Sequence, residues 1–282
     1  MPMDVYFNGK RMPMSEATLT LEDRSTLFAD GVYEVLRIYN NQLFETDAHL
    51  DRLARSAKAL LLDSPTKDEL LACAKDLMLG QDYEDAMVYI QISRGDQGPR
   101  AHQIPLHTTP TWWLWIRAVN PPSNEIKEKG VFTITTPDDR WAQAWIKSVS
   151  LLPNILAKEI AHRQGAYDAI LVRDGFVTEG TSSNVMIVQD GVLKTPPLTN
   201  YILPGITRSV VLRLAANAGI PVVEESISLW DLYRADEAFY TGTTIEILPI
   251  AKVDQYDKKV GPVTKTLMNL FVANRPKITS KH

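Results

Sequence analysis

Apolar and polar positions alternate through the first residues of the chain, and the period changes at identifiable points. V-Y-F-N-G-K-R (5–11) alternates about Asn8-Gly9, a pair suited to a tight two-residue turn, and predicts a hairpin. V-L-R-I-Y-N-N-Q-L-F-E (35–45) predicts a second, turning at Asn40-Asn41. The period then becomes helical. T-D-A-H-L-D-R-L-A-R-S-A-K-A-L-L (46–61) places Leu50, Leu53, Ala57 and Leu60 on one face behind a Thr/Asp capping signal. A further helix is predicted over 66–78, and V-Y-I-Q-I-S-R (88–94) and W-W-L-W-I-R (112–117) read as strands.

Residues 118–130, A-V-N-P-P-S-N-E-I-K-E-K-G, interrupt this pattern with polar residues, a Pro-Pro pair and a closing glycine, which is linker composition. The expected division is a small N-terminal α/β domain (1–118), a linker (119–131) and a larger C-terminal α/β domain (132–282). The second half opens on strand V-F-T-I-T-T, continues into a helix over 152–164, and then runs through strands and turns at Asp174-Gly175 and Asp190-Gly191. A helix follows Pro204-Gly205, and E-A-F-Y-T (237–241) is a later strand. Hairpins mixed with helices predict an α+β or mixed α/β fold, not a regular βαβ repeat.

Composition narrows the function. With 282 residues, 45% hydrophobic and 23% charged, the chain has ample material for a core, and its formal charge of −4 argues against nucleic-acid or anionic-membrane partners. One cysteine, Cys73, excludes an internal disulfide and fits a reducing, cytoplasmic compartment; its helical spacing with leucines makes it a buried structural thiol. The N-terminus lacks the pattern of a signal peptide, and no apolar stretch has membrane-spanning length. Five histidines without metal spacing and no cysteine pair leave no expected metal site.

Four motifs carry chemistry beside one lone acid. In I-K-S-V-S (146–150), Lys147 stands among Ile146, Val149, Trp141 and Trp145, so it either snorkels to water or is held inside as a nucleophilic amine for Schiff-base chemistry. In L-P-G-I-T-R (203–208), Ile206 and Thr207 fall at a helix N-terminus, where free amides bind phosphate and where Thr207 is equally suited to capping. T-G-T-T (241–244) is a second glycine-hydroxyl stretch, either the other wall of a phosphate site or a plain turn, and Arg52 is either its counter-charge or a solvated helix face. In P-R-A-H-Q (99–103), alternation along an extended strand would aim Arg100 and His102 the same way, as a carboxylate trap or as a basic surface loop. In V-T-E-G-T-S-S-N (177–184), the lone carboxylate, Glu179, is surrounded by small hydrogen-bonding residues. Amine, anion site, lone carboxylate and carboxylate trap together match the parts of a pyridoxal phosphate enzyme acting on amino acids.

The sequence also resembles the class IV, or fold type IV, pyridoxal-phosphate-dependent aminotransferases. The resemblance lies in A-D-G-V-Y-E-V (29–35), H-L-D-R-L (49–53), I-K-S-V-S-L-L-P-N-I-L-A-K (146–158), V-T-E-G-T-S-S-N-V (177–185), L-P-G-I-T-R (203–208) and T-G-T-T-I-E-I (241–247), in order over nearly the whole chain. S-R-G-D-Q-G-P-R-A-H-Q-I-P (93–105) is similar to bacterial D-amino acid transaminases in particular. The resemblance implies the two-domain fold, pyridoxal 5'-phosphate as cofactor, and a homodimer with an active site shared across the interface. It implies that Lys147 bonds the cofactor's aldehyde and shuttles the substrate proton, and that Glu179 pairs with the pyridinium nitrogen, with Arg140 behind it. Leu203 would pack on the ring, Ser182 and its small neighbours would lie beneath it, and Arg52, Ile206, Thr207 and Thr243 would hold the phosphate. Tyr33, with Arg100 and His102 of the partner subunit, would bind the α-carboxylate. D-D-R-W-A-Q-A-W (138–145), Thr181, Gly242 and Ile245 depart from that subgroup's pattern. The expected reaction is ping-pong amino transfer between a D-amino acid, such as D-alanine or D-glutamate, and a 2-oxo acid. Branched-chain L-amino acid or (R)-amine transamination, or an aminodeoxychorismate lyase reaction, are the alternatives on the same scaffold.

Overall fold

The computed structural model describes residues 3–106 and 108–277. The chain divides into two compact units, one of residues 1–119, 146–150 and 276–282, the other of 120–145 and 151–275. Strands and helices mix in both.

The first unit is built on one antiparallel sheet of β1 (Asp4–Phe7), β2 (Lys10–Pro13), β3 (Gly31–Tyr39), β4 (Gln42–Leu43), β5 (Asp85–Ser93) and β6 (Thr111–Ala118), in the order β2-β1-β6-β5-β3-β4. Both expected hairpins form. Asn8 and Gly9 take φ of 48° and 76°, and Asn40 and Asn41 take 49° and 59°, the positive values that a tight hairpin turn requires. Three helices join the sheet: α1 (Arg24–Phe28), α2 (Thr46–Ala59) and α3 (Lys67–Met78), the last capped by the Thr66 side chain. Helix α2 begins differently from its sequence signal. Thr46 and Asp47 lie inside the helix, and the cap position is Glu45 in the left-handed region with no side-chain cap bond.

Pleating decides what β3 offers on each side. Val32, Glu34 and Leu36 are buried, whereas Tyr33 and Val35 are partly open. Glu34 is fully buried and meets α2: Arg52 donates to both carboxylate oxygens (Nε at 2.9 Å, Nη2 at 2.7 Å), and His49 Nδ1 lies 3.0 Å from Oε1. Burial pushes the Glu34 carboxyl up, but Arg52 and His49 outweigh it and hold it well below the usual range. The segment 146–150 runs beside the start of β3. Tyr33 N donates to Lys147 O and Val149 N to Gly31 O, each at 3.0 Å. Gly31 is needed there, because a Cβ would stand 2.7 Å from Ile92 O.

The second unit has a mixed sheet of β7 (Val131–Pro137), β8 (Asp168–Arg173), β9 (Phe176–Gly180), β10 (Asn184–Gln189), β11 (Val192–Thr195), β12 (Val222–Glu224), β13 (Glu237–Gly242) and β14 (Glu246–Val253), in the order β12-β11-β10-β13-β14-β7-β8-β9. A short β15 (Tyr256–Asp257) pairs with β14. The pairs β14–β7, β7–β8 and β11–β12 are parallel, the others antiparallel. The helices are α4 (Asn124–Lys129), α5 (Leu152–Arg163), α6 (Ile206–Asn217), α7 (Leu229–Arg234) and α8 (Pro262–Ala273). Ile170, Val185, Ile187, Leu232, Tyr240, Leu248 and Ile250 form its dry centre. No helix among the described residues is long and apolar enough to cross a membrane.

Replacing Glu34 with glutamine leaves the Arg52 charge buried without its counter-ion. The expected cost is about 3–5 kcal/mol, read as a lower urea midpoint, and the wild-type advantage should shrink as pH falls below the usual carboxylate range, because a depressed pKa stabilises only above it.

Candidate active site

The chemistry-bearing residues of the second unit converge on Glu179, at the end of β9. Its carboxylate is 5% exposed and accepts from Arg140 Nη1 on one oxygen, and from Asn184 Nδ2 and Leu203 N, both at 3.0 Å, on the other. Arg140 is shared. It also donates to Asp138 through Nε (2.9 Å) and Nη2 (2.8 Å), and to Tyr201 O at 3.0 Å. Thr178 Oγ1 donates to Asp138 Oδ2 at 2.8 Å, the Arg140 N–H donates to Oδ1 at 3.2 Å, and Arg173 Nη2 lies 3.3 Å from Oδ1.

Two acids therefore compete for one guanidinium. Burial raises the Asp138 carboxyl, but the Arg140 bonds outweigh it and hold the group below its usual range. Burial pushes the Glu179 carboxyl up to about 7; the Arg140 charge and the Leu203 N–H only partly offset this, and the Asp138 charge adds to it. Glu179 is thus a carboxyl poised between its two protonation states near neutrality.

Asn184, at the start of β10, ties this acid to a helix terminus. Its Nδ2 donates to Leu203 O at 2.9 Å as well as to Glu179, and a Cβ on Gly205 would overlap its Oδ1. Gly205 is the N-cap residue of α6 and supplies no side-chain cap, nor is there an acid in the first turn. The first amides of α6 therefore present a positive terminus to an anion. Ile206 and Thr207 occupy the first two helical positions, both buried, so Thr207 is not the cap. Across the sheet, Asn184 pairs with Thr241, whose strand β13 ends at Gly242. Thr243 lies in the turn beyond it, leading to Glu246, which holds φ of 59° and is paired with Lys127 (2.9 Å) and Arg275. Ser183 Oγ and Thr241 Oγ1 are buried with no hydrogen-bond partner. Ser182 is exposed, and Thr181 Oγ1 is committed to Asp168 Oδ1 at 2.6 Å.

In the first unit, Lys147 is partly buried and its Nζ lies 4.3 Å from the centre of the Tyr33 ring. The Lys147 backbone is pinned by its own N–H to Ser56 Oγ at 3.1 Å. Tyr33 begins an aromatic stack with Tyr89 (5.8 Å) and Trp115 (4.8 Å). Arg52 is engaged by Glu34. Arg100 and His102 are exposed and lie in irregular chain, not in the expected extended strand. They converge for another reason: both pack on Phe28, Arg100 Cζ at 4.8 Å and the His102 ring at 5.5 Å. Sequence reasoning missed Asn184 and Asp138. The only available signals were an amide closing the small-residue run and an acid two residues before Arg140.

Known proteins are similar to this chain over nearly its whole length. The family described as Amino-transferase class IV matches residues 31–253. A D-alanine aminotransferase of Listeria innocua is 44% identical over 275 residues, covering 96% of this chain and 95% of that protein. One from Bacillus licheniformis is 41% identical over 269 residues, 94% of each. Among solved structures, the branched-chain amino acid aminotransferase of Escherichia coli superposes with a TM-score of 0.89 at 28% identity, covering 97% of this chain and 94% of that one. That of Thermoproteus uzoniensis, solved with norvaline, gives 0.88 at 30% identity, covering 96% and 94%. The chain belongs to the class IV aminotransferases. It is an aminotransferase of the fold type IV class, whose cofactor is pyridoxal phosphate. Within the second unit the residues present fit that cofactor: a buried carboxyl for a ring nitrogen, an uncapped helix terminus for a phosphate, and two unpartnered buried hydroxyls; the first unit, taken by itself, offers an amine resting on an aromatic ring.

The raised Glu179 carboxyl has a signed consequence in cofactor-free protein. The folded state holds this proton more tightly than the unfolded chain, so the group's stabilisation is complete below the ordinary value of 4.5 and is lost as pH rises through about 7. Urea unfolding from pH 5 to 8 should show wild type losing stability relative to Glu179→Gln by roughly 1.4 kcal/mol per pH unit within that window.

Proposed function

We propose that this chain is a D-amino acid transaminase, moving an amino group between a D-amino acid and a 2-oxo acid. The observation that carries the reading is 44% identity, over 96% of the chain, to a D-alanine aminotransferase. In one half-reaction the donor would become a 2-oxo acid, and in the other an acceptor 2-oxo acid would become an amino acid, both at one site, so kinetics should be ping-pong.

Bound pyridoxal phosphate supplies the electron sink for the charge left when the substrate loses its α-proton. The protein does the rest. Lys147 Nζ would anchor the cofactor and take and return the α-proton. Glu179 would meet the ring nitrogen through its buried carboxylate. Asp138 shares the Arg140 charge, so the ionised Glu179 would keep negative charge with which to stabilise a proton on that nitrogen. Asn184 and the Leu203 N–H hold its second oxygen, and the Leu203 side chain packs on the ring. The amides of Ile206 and Thr207 would hold the phosphate with Thr243 and Arg52, and Ser182 would lie near the ring.

Tyr33 binds the substrate α-carboxylate together with Arg100 and His102 of the partner subunit, in a homodimer. The side on which the carboxylate is held decides which enantiomer offers its proton to the lysine. A cytoplasmic location accords with the single, buried cysteine.

A donor panel with 2-oxoglutarate separates the readings. D-alanine should outrun L-leucine and 1-phenylethylamine, and Arg100→Ala should cut kcat/KM for D-alanine by about 10- to 100-fold, the worth of a charged hydrogen-bond pair. A large preference for L-leucine would instead favour branched-chain specificity, and turnover without any 2-oxo acid would favour a lyase.

A further inference from the structure

Arg100 and His102 are exposed and belong to no strand or helix, yet a carboxylate trap works only if its donors keep a fixed direction. The bonds inside their loop are few: Gly98 N to Asp96 Oδ1 at 2.8 Å and Gln97 Nε2 to Ala101 O at 2.9 Å. Neither restrains the Arg100 or His102 side chain. The restraint comes from the segment around α1, about seventy residues earlier in the chain.

Arg24 is 5% exposed and turned toward the loop. Its Nη1 donates to Gln97 Oε1 at 2.5 Å and to Ala101 O at 2.8 Å, and its Nη2 reaches His102 O at 3.5 Å. Its backbone N–H donates to Gly95 O at 3.0 Å. One guanidinium therefore holds both sides of the loop's tip. The remaining donor, Nε, goes to Asp30 Oδ2 at 2.6 Å. Asp30 also binds Arg94, through Nε at 2.8 Å and Nη2 at 3.0 Å, and Arg94 is itself held by the carbonyls of Leu60 and Leu61. The root of the loop and its tip thus share one anchoring acid.

Phe28, on the last position of α1, serves the side chains. Its ring lies 4.7 Å from Arg24 Cζ and 4.8 Å from Arg100 Cζ, and the His102 ring stands 5.5 Å away at 70°. A π face attracts a guanidinium, and an imidazole packs edge-on against it, so a single ring orients both trap residues. Of the two guanidiniums on this ring, Arg24 is engaged by Asp30 and the loop carbonyls, which leaves Arg100 as the one to meet a carboxylate.

We infer that Phe28 and Arg24 are positioning residues for the carboxylate-binding pair: Phe28 orients the Arg100 and His102 side chains and Arg24 fixes the backbone that carries them. This rests on the reading of Arg100 and His102 given under the proposed function. Neither residue touches the reacting atoms. Their loss should therefore weaken capture of the α-carboxylate without slowing turnover of bound substrate.

The test uses the holoenzyme, with steady-state kinetics on D-alanine at saturating 2-oxoglutarate, for wild type, Phe28→Leu, Phe28→Tyr, Arg24→Gln, Arg100→Ala and the Phe28→Leu/Arg100→Ala double variant. Phe28→Leu should raise KM for D-alanine by about tenfold, the scale of one lost cation–π contact in a partly desolvated setting, with kcat within about twofold. Phe28→Tyr, which keeps the ring, should restore the wild-type KM. The double variant should fall well short of the product of the two single effects, because Phe28 acts in part through Arg100, and the remainder reads its contact with His102. A merely structural loss would reduce the active fraction, and so kcat, and leave KM unchanged. Arg24→Gln should follow Phe28→Leu; if it fails to fold, the Phe28 series decides alone. A Phe28→Leu effect confined to kcat, or one that multiplies with that of Arg100→Ala, overturns the inference while leaving the trap intact. An Arg100→Ala enzyme with unchanged KM for D-alanine removes the trap itself, and this inference with it.

Discussion

One guanidinium between two buried acids governs the second unit. Arg140 cannot be left without partners so far from water, and neither can Asp138 or Glu179. Breaking such a group by deleting one member costs about 3–5 kcal/mol. The arrangement is unequal, and the inequality matters. Asp138 takes three bonds from Arg140, one of them from its backbone N–H, one from Thr178, and an ion pair with Arg173 at 3.3 Å, whereas Glu179 takes one from Arg140 and shares its other oxygen with Asn184 and Leu203 N. The acid with the richer shell stays ionised, and the other titrates near neutrality. In its ionised form such a carboxyl, whose nearest cation is shared with a second acid, has negative charge left with which to hold a protonated heterocyclic nitrogen.

The same device recurs in the first unit with other consequences. Glu34 fastens α2 to β3 through Arg52 and His49, which sets the height of the helix carrying Ser56 and so the backbone of Lys147. Asp30 fastens the 94–102 loop through Arg24 and Arg94. In each case one acid, fully buried at Glu34 and partly buried at Asp30, organises two cationic or imidazole side chains, and the residues with assigned chemistry lie one contact further out. Apolar burial supplies the bulk of the folding free energy, but it is non-directional. The charged, hydrogen-bonded groups supply direction, which is what a site with several converging groups needs.

Much of this was legible in order along the chain. The Asn-Gly and Asn-Asn hairpins, the Leu50/Leu53/Ala57 face of α2, the Thr66 cap and the helix after Pro204-Gly205 all follow from local preferences that involve neighbours only. Glu179 stood out because a lone acid among small residues has few local uses. Lys147 and the 203–208 motif were visible as types of residue, although the sequence left each with an ordinary alternative. The expected capping role of Thr46 failed because the chain enters α2 through Glu45 in the left-handed region, a geometry fixed by the hairpin before it and not by the cap preference of threonine.

The sequence by itself therefore determined the elements, the mixed α/β class and the residue types available for chemistry, since these depend on periodicity and on neighbours a few positions apart. Only the tertiary structure decided which acid keeps the Arg140 charge, that Asn184 bridges Glu179 to the start of α6, and that Arg100 and His102 meet on Phe28 instead of on one side of a strand. Those outcomes depend on contacts between residues 5 to more than 70 positions apart. Burial and the competition of several groups for one partner set them, and neither quantity exists until the chain has folded.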